Sequence, residues 1–268
     1  MAHCAHTPSF VLHQVTCQFA TGQTLFGPLN LSLEPLLCGL VGRNGVGKTR
    51  LLRLLAGLDS PSCGHIERSA TVAWVVQQPT LTAGTTVASL LGYAPVFDAL
   101  SRLEQGKGLA DDFELLDGRW DLPDRLSSAF RDADLPAFSA DRPAFSLSGG
   151  ERMKALLCGA FVSGADFLLL DEPTNHLDRQ GREWLYQQLE IWRGGALIAS
   201  HDRELLALMS RIIELTPAAL RSYGGNYAEY QRQREAEQQA ARSALEHAAI
   251  ERRRTRARMQ KEHDAAQR

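Results

Sequence analysis

No apolar run in this chain approaches the ~20 residues needed to cross a bilayer, and no basic segment leads into an apolar stretch at its start. A cytoplasmic location without a membrane domain is therefore expected. The cysteines have no pairing pattern: Cys4, Cys17, Cys38, Cys63 and Cys158 form an odd, scattered set without CxxC. That spacing argues against a disulfide framework or a zinc ribbon and leaves reduced, partly buried thiols. His3, Cys4 and His6 carry ligand atoms, but a chain terminus holds no preformed metal geometry. Internal repeats at solenoid periods and low-complexity tracts are also missing.

Net charge is only −2 over 268 residues, but the average hides a division near residue 230. From Gln231 to Arg268 there are ten Lys or Arg and six Asp or Glu, a local +4, which leaves 19 − 25 = −6 for residues 1–230. The tail has no Gly or Pro and few large apolar residues beyond Leu245, Ile250 and Met259, so it reads as a long, solvated, charged α-helix. The first part alternates apolar strands, Gly/Pro turns and helical patterns, and its apolar share, 44% for the whole chain, is ample for a core.

GRNGVGKT, Gly42 to Thr49, fits G-x-x-x-x-G-K-[ST], follows the apolar run LLCGLV and opens the helical pattern TRLLRLLAGL. Gly42, Gly45 and Gly47, with Arg43, Asn44 and Val46 between them, allow successive backbone N–H groups to curl round phosphate oxygens. Lys48 then reaches the β and γ phosphates of ATP, and the Thr49 hydroxyl ligates Mg²⁺. LLLDEP supplies the complementary half. Phe167 to Leu170 read as a buried parallel strand, and ligands of doubly wound sheets bind at the C-terminal ends of such strands. Asp171 is thereby expected in the Mg²⁺ shell, and Glu172 as the base that activates the attacking water.

LSGGE, Leu147 to Glu151, begins a helix just upstream of LLLDEP. Ser148 and the Gly149 and Gly150 amides form a helix-start anion site, although SGGE alone also reads as a helix cap. The order of these motifs resembles that of ATP-binding cassette proteins. The resemblance implies an α/β P-loop NTPase with a helical subdomain at about 80–160, inside a cassette of residues 1–230. It further implies Gln77, after the strand TVAWVV, as sensor of metal and water, and His201, after ALIAS, as γ-phosphate contact. Gln78 adjoins Gln77, so the glutamine carries a one-residue ambiguity. Phe19 in TCQFATG holds the place of an adenine-stacking ring, or packs as core. Trp120, within the helical patterns, reads as structural.

NHLD (Asn175 to Asp178), SHDRELL (Ser200 to Leu206) and YGGNYAEYQRQRE (Tyr223 to Glu235) are similar to the F subfamily, cassette proteins without membrane domains that act on ribosomes. In this family two ATP molecules are sandwiched between two cassettes, each phosphate loop facing the other's signature, with Asp178 among the nucleotide-binding positions. The expected partners are therefore a second cassette, in a longer chain or a homodimer, and ribosomal RNA, met by Arg252, Arg253, Arg254, Arg256 and Arg258 on residues 231–268 as the start of an interdomain linker. A solvated helix face is the other reading of those arginines. The alternative function is the nucleotide-binding subunit of a membrane transporter. Arg50, where a second hydroxyl residue is usual, and the missing Gly-acid turn before LLCGLV depart from the family pattern.

Overall fold

The computed structural model describes residues 9–19 and 21–266. His3, Cys4 and His6 lie outside the described residues, as do the side chains of Arg253, Arg254, Arg256 and Arg258. Phe10–Gln18 (β1) and Thr24–Leu33 (β2) form an antiparallel pair whose inward residues include Phe10, Leu12, Val15, Phe26 and Leu33. The short strand Leu37–Val41 (β3), buried over four of its five residues, runs into the glycine loop and Lys48–Leu55 (α1). Cys63–Arg68 (β4) pairs back onto β1, giving a three-stranded sheet of order β2-β1-β4.

Val72–Val75 (β5) starts the second sheet before the chain leaves it for helices: Val87–Leu90 (α2), Ala94–Glu104 (α3), Ala110–Leu116 (α4), Leu122–Asp132 (α5) and Gly149–Val162 (α6). Leu116, Leu126, Phe130, Ala155 and Cys158 close a separate core among them. The chain then returns through Phe167–Asp171 (β6), Arg179–Ile191 (α7), Gly195–Ala199 (β7), Arg203–Ala207 (α8), Arg211–Leu215 (β8), Leu220–Gly224 (β9) and Tyr227–Ala266 (α9). The six-stranded sheet has order β5-β6-β7-β3-β8-β9, parallel except for β9. Strands β6 and β7 are buried at every position, as strands covered on both faces must be. Between the two sheets, Phe10 meets Phe167 edge-on at 5.0 Å over Leu51, Leu52 and Leu55 of α1. Each such side chain contributes about 1.5–3 kcal/mol by leaving water. This packing fixes where α1, and hence the glycine loop, sits.

One boundary shifts by a few residues. The division expected at residue 230 falls inside α9, which begins at Tyr227. Its first turns belong to the cassette: Tyr230 stacks edge-on against Tyr223 at 5.0 Å, and Arg234 pairs at 2.9 Å with the buried Glu214 of β8. The composition shift near residue 230 marks where the helix becomes solvated, which is later than where it starts. Trp120, read as structural, packs at the surface. It is 53% exposed in the turn between α4 and α5, leaning on the equally exposed Phe113 at 6.2 Å. Of the cysteines, Cys17, Cys38 and Cys158 are buried free thiols and Cys63 is exposed. Burial pushes the Cys38 thiol up to about 11 and that of Cys158 to about 12, so neither is reactive.

Candidate nucleotide site

The glycine loop is held open by backbone that only glycine tolerates at its last turn. Gly47 has φ +104°, and a Cβ there would lie 2.8 Å from the Phe26 ring. The loop delivers Lys48 as the first residue of α1 and keeps it 9% exposed. The Lys48 ammonium donates to Gly42 O at 3.1 Å and lies 3.1 Å from His201 Nε2. The same imidazole nitrogen is 3.0 Å from Asn44 Oδ1 and 3.5 Å from Glu172 Oε1. A cation and an imidazole thus converge beside the glycine loop within one or two hydrogen-bond lengths, a setting suited to an anionic phosphate chain.

Beside them, Thr49 Oγ1 donates to Asp171 Oδ2 at 2.7 Å. Asp171 is 2% exposed at the end of β6. Burial raises its pKa above the ordinary carboxylate value, against the Thr49 hydrogen bond and the Lys48 charge, which lower it. A buried hydroxyl–carboxylate pair of this kind fits a hard divalent cation such as Mg²⁺, which takes oxygen ligands and relieves the buried charge. Glu172, next along, is raised first by burial and also by Asp171, while His201 and Lys48 pull it down. It sits at φ +49°, a left-handed backbone uncommon for a residue with a side chain, pinned by its N–H donating to Ala199 O at 2.8 Å. That turn sends consecutive carboxylates to different tasks: Asp171 toward Thr49, Glu172 toward His201.

These groups line a cavity of about 630 Å³ with Phe19, Gln77 and Asn175. Gln77 lines it and Gln78 does not, which separates the two adjacent glutamines geometrically. Phe19 stands 51% exposed at its edge, a placement open to base stacking and unlike core. Arg50 also lines the cavity and forms an ion pair with Asp59 at 2.8 Å, so the Thr49–Asp171 contact forms with the arginine in place. Asn175 and Arg53 are cavity residues that sequence reasoning did not single out. Asn175 was visible inside NHLD, whereas Arg53 needed only its place one helical turn after Thr49.

Among the described residues, the signature does not reach that cavity. Ser148 and Glu151 form a reciprocal cap on α6: Ser148 N donates to Glu151 Oε2 at 2.7 Å, and Ser148 Oγ accepts from Glu151 N at 3.2 Å. Gly149 lines a separate space of about 350 Å³ with Gln77, Gln78, Arg152 and His176. Gly150 packs so closely that a Cβ would sit 2.8 Å from His176 O. Asp178 caps α7, accepting from Gly181 N at 2.8 Å, and also stands away from the Lys48 cavity.

Residues 28–175 match the protein family described as ABC transporter. The chain is 36% identical over 246 residues to the energy-dependent translational throttle protein EttA of Mycobacterium tuberculosis, covering 84% of this chain and 41% of the relative. It is 31% identical to the tylosin resistance ATP-binding protein TlrC of Streptomyces fradiae, covering 82% and 44%. With the ATP-binding protein Uup of Caulobacter vibrioides it shares 37%, over 80% of this chain and 30% of that protein. The chain therefore spans less than half the length of these curated relatives. Among solved structures, the ATP-binding subunit of an ABC transporter superposes with TM-score 0.65 at 18% identity, covering 85% of this chain and 93% of that one. A dimeric ATP-binding cassette in a post-hydrolysis state, bound to ADP and Pi, gives 0.62 at 20%, covering 80% and 98%. Both likenesses support the fold.

Proposed function

The chain belongs to the ATP-binding cassette family, and on that premise we propose that it is an ATPase cassette of the F-subfamily kind that works with a second cassette and acts on the ribosome. The observation that carries the chemistry is the 2.7 Å contact of Thr49 with the buried Asp171, set beside Lys48, Glu172 and His201 in one cavity. When bound, Mg²⁺ supplies charge neutralisation between phosphate oxygens. The chain's own residues do the rest. The loop amides and the Lys48 ammonium position the phosphates, and Phe19 offers a ring to the base. Glu172 accepts a proton from the attacking water, and His201 stands within hydrogen-bond reach of both Lys48 and Glu172 to orient them. The raised pKa of Glu172 suits a base, because proton affinity and ionisation are then balanced nearer to neutral pH.

The ribosomal reading is supported by relatives named for translational throttling and for tylosin resistance, and by the local charge of +4 from Gln231 onward. No helix among the described residues is long and apolar enough to cross a membrane. The test is co-sedimentation of the chain, and of its Glu172→Gln variant, with ribosomes with and without ATP. ATP-dependent association, retained in Glu172→Gln and lost in Lys48→Ala, is expected. Failure to associate, together with co-purification on a membrane protein, would instead favour the transporter subunit.

A further inference from the structure

We propose that the outer face of the three-stranded sheet holds a second metal site, for a borderline divalent cation such as Zn²⁺, formed by His13, His65 and Glu67 and independent of the nucleotide cavity. His13 and His65 are paired directly across β1 and β4, and Val11 pairs with Glu67, so His13 and Glu67 are diagonal neighbours. Leu12 and Val15 of β1 point into the core, which leaves His13 on the opposite face with the exposed His65 and Glu67. The two imidazoles stack with centroids 4.5 Å apart and planes 18° from parallel. Both send Nε2 to one carboxylate oxygen: Glu67 Oε1 lies 3.3 Å from His13 Nε2 and 3.7 Å from His65 Nε2. All three ligand atoms fall within 4.8 Å of one another.

Ligands bound at about 2.0–2.1 Å round a tetrahedral Zn²⁺ stand about 3.3–3.4 Å apart, so two of the three separations are already near those of a loaded site. The third closes by rotation of exposed side chains. A second observation points the same way. His13 Nε2 is shielded from solvent yet makes no hydrogen bond of acceptable geometry, despite Glu67 at 3.3 Å. A solvent-shielded imidazole nitrogen without a hydrogen-bond partner is what a metal satisfies. The backbone holds the arrangement. Register shifts in the β1/β4 ladder just after His13, Gln14 takes φ +51°, and a Cβ on Gly64 would lie 2.4 Å from His13 O and Gln14 O. The bulge therefore clamps the two strands together where the histidines face each other. Two imidazoles and one carboxylate suit Zn²⁺, Co²⁺ or Ni²⁺ rather than Mg²⁺, and three protein ligands leave a position for water.

The experiment uses the full chain, stripped with chelator and free of nucleotide, titrated with Zn²⁺ alone against a competing chelating dye. One equivalent should bind. Affinity should fall at least about ten-fold in His13→Ala, His65→Ala and Glu67→Gln, since loss of a ligand costs no less than loss of a residue that merely orients one. His65 and Glu67 are exposed, so those variants remain informative if His13→Ala does not fold. A triple variant of His3, Cys4 and His6 to Ala should bind as the parent does. With Co²⁺ as probe, a d–d spectrum without a thiolate charge-transfer band is expected. Binding unaffected by His65→Ala and Glu67→Gln, binding abolished in the triple variant, a thiolate band, or no binding in competition with the dye would each overturn the site.

Discussion

Glu172→Gln preserves the shape and most hydrogen bonds of the side chain and removes the carboxylate beside His201 that serves as base in the proposed chemistry. Its carboxylate is part-buried, 3.5 Å from His201 Nε2, under the charge of Lys48. Loss of a general base costs about 10²–10⁴ in rate, or about 2.7–5.4 kcal/mol of barrier. Nucleotide affinity should not fall with it, because the glutamate contributes negative charge beside the phosphates and its neutralisation leaves Lys48, Thr49 and Asp171 in place. Single-turnover release of phosphate from ATP, with protein in excess, should therefore slow by at least about 100-fold while fluorescent-nucleotide binding is unchanged or tighter. The pH profile adds a sign. Glu172 is raised above an ordinary carboxylate and works only when ionised, so the parent rate should decline as pH falls through that raised value. The variant should lose this limb. Parent-like turnover by Glu172→Gln, in preparations where Lys48→Ala is silent, would refute the assignment.

Asp171→Asn should raise the melting temperature of the nucleotide-free chain at pH 7 while weakening Mg²⁺-dependent nucleotide binding, because the folded pKa of Asp171 is raised and its ionised form is therefore costly. The folded state binds the extra proton, so the thermal gain should shrink as pH falls through the raised folded value toward the unfolded ~3.9. A gain independent of pH would exclude this cause. Arg234→Ala removes the partner of Glu214, whose side chain is 8% exposed, and should destabilise the chain to urea by about 2 kcal/mol. That lies below the 3–5 of a fully buried pair because Arg234 itself keeps 30% exposure. Neutralising Arg252, Arg253, Arg254, Arg256 and Arg258 should flatten the salt dependence of ribosome binding by about 0.7–0.9 in log–log slope per lost phosphate contact, with ATPase rate unchanged. Ser148→Arg and Lys48→Ala chains, each inactive alone, should recover hydrolysis when mixed if the chain pairs with itself, since one of two composite sites is then intact.

The phosphate loop, β6 and the paired acids were legible because their geometry is local: a loop of fixed length between strand and helix leaves Lys48 and Thr49 little choice of direction. The contact of Thr49 with Asp171 spans 122 residues and was legible only because parallel strands end on one edge. What spacing does not encode is sheet order. That β7 lies between β6 and β3, carrying His201 up to Lys48, follows from pairing alone. The same holds for His13, His65 and Glu67, which meet through an antiparallel register and a bulge that no motif announces. The start of α9 was misplaced for a different reason. Composition records solvation, and Tyr227 to Arg234 are helical residues that pack on the cassette, so the change in composition lags the change in structure.

Gln77 gives the clearest link between the two parts of the cassette. It follows β5, precedes the helices from Val87 to Val162, and lines both the Lys48 cavity and the space that holds Gly149. The helices close a core of their own around Phe130 and Leu126. Yet α6 also buries Met153, Leu156, Leu157 and Ala160 against Val75, Leu168 and Leu170 of the sheet, so any turn of the helices on the sheet must slide or repack that shared face. Gln77 stands at that seam, facing both spaces, and is the residue such a movement reaches first. The same movement must also carry the Ser148 cap, which is anchored to α6 and stands away from Lys48 in this chain. On the proposed two-cassette reading, the donor set round the phosphates is completed only by a facing chain, so hydrolysis should require pairing while nucleotide binding to the Lys48 cavity should not; equal turnover by dilute, monomeric chain would refute it.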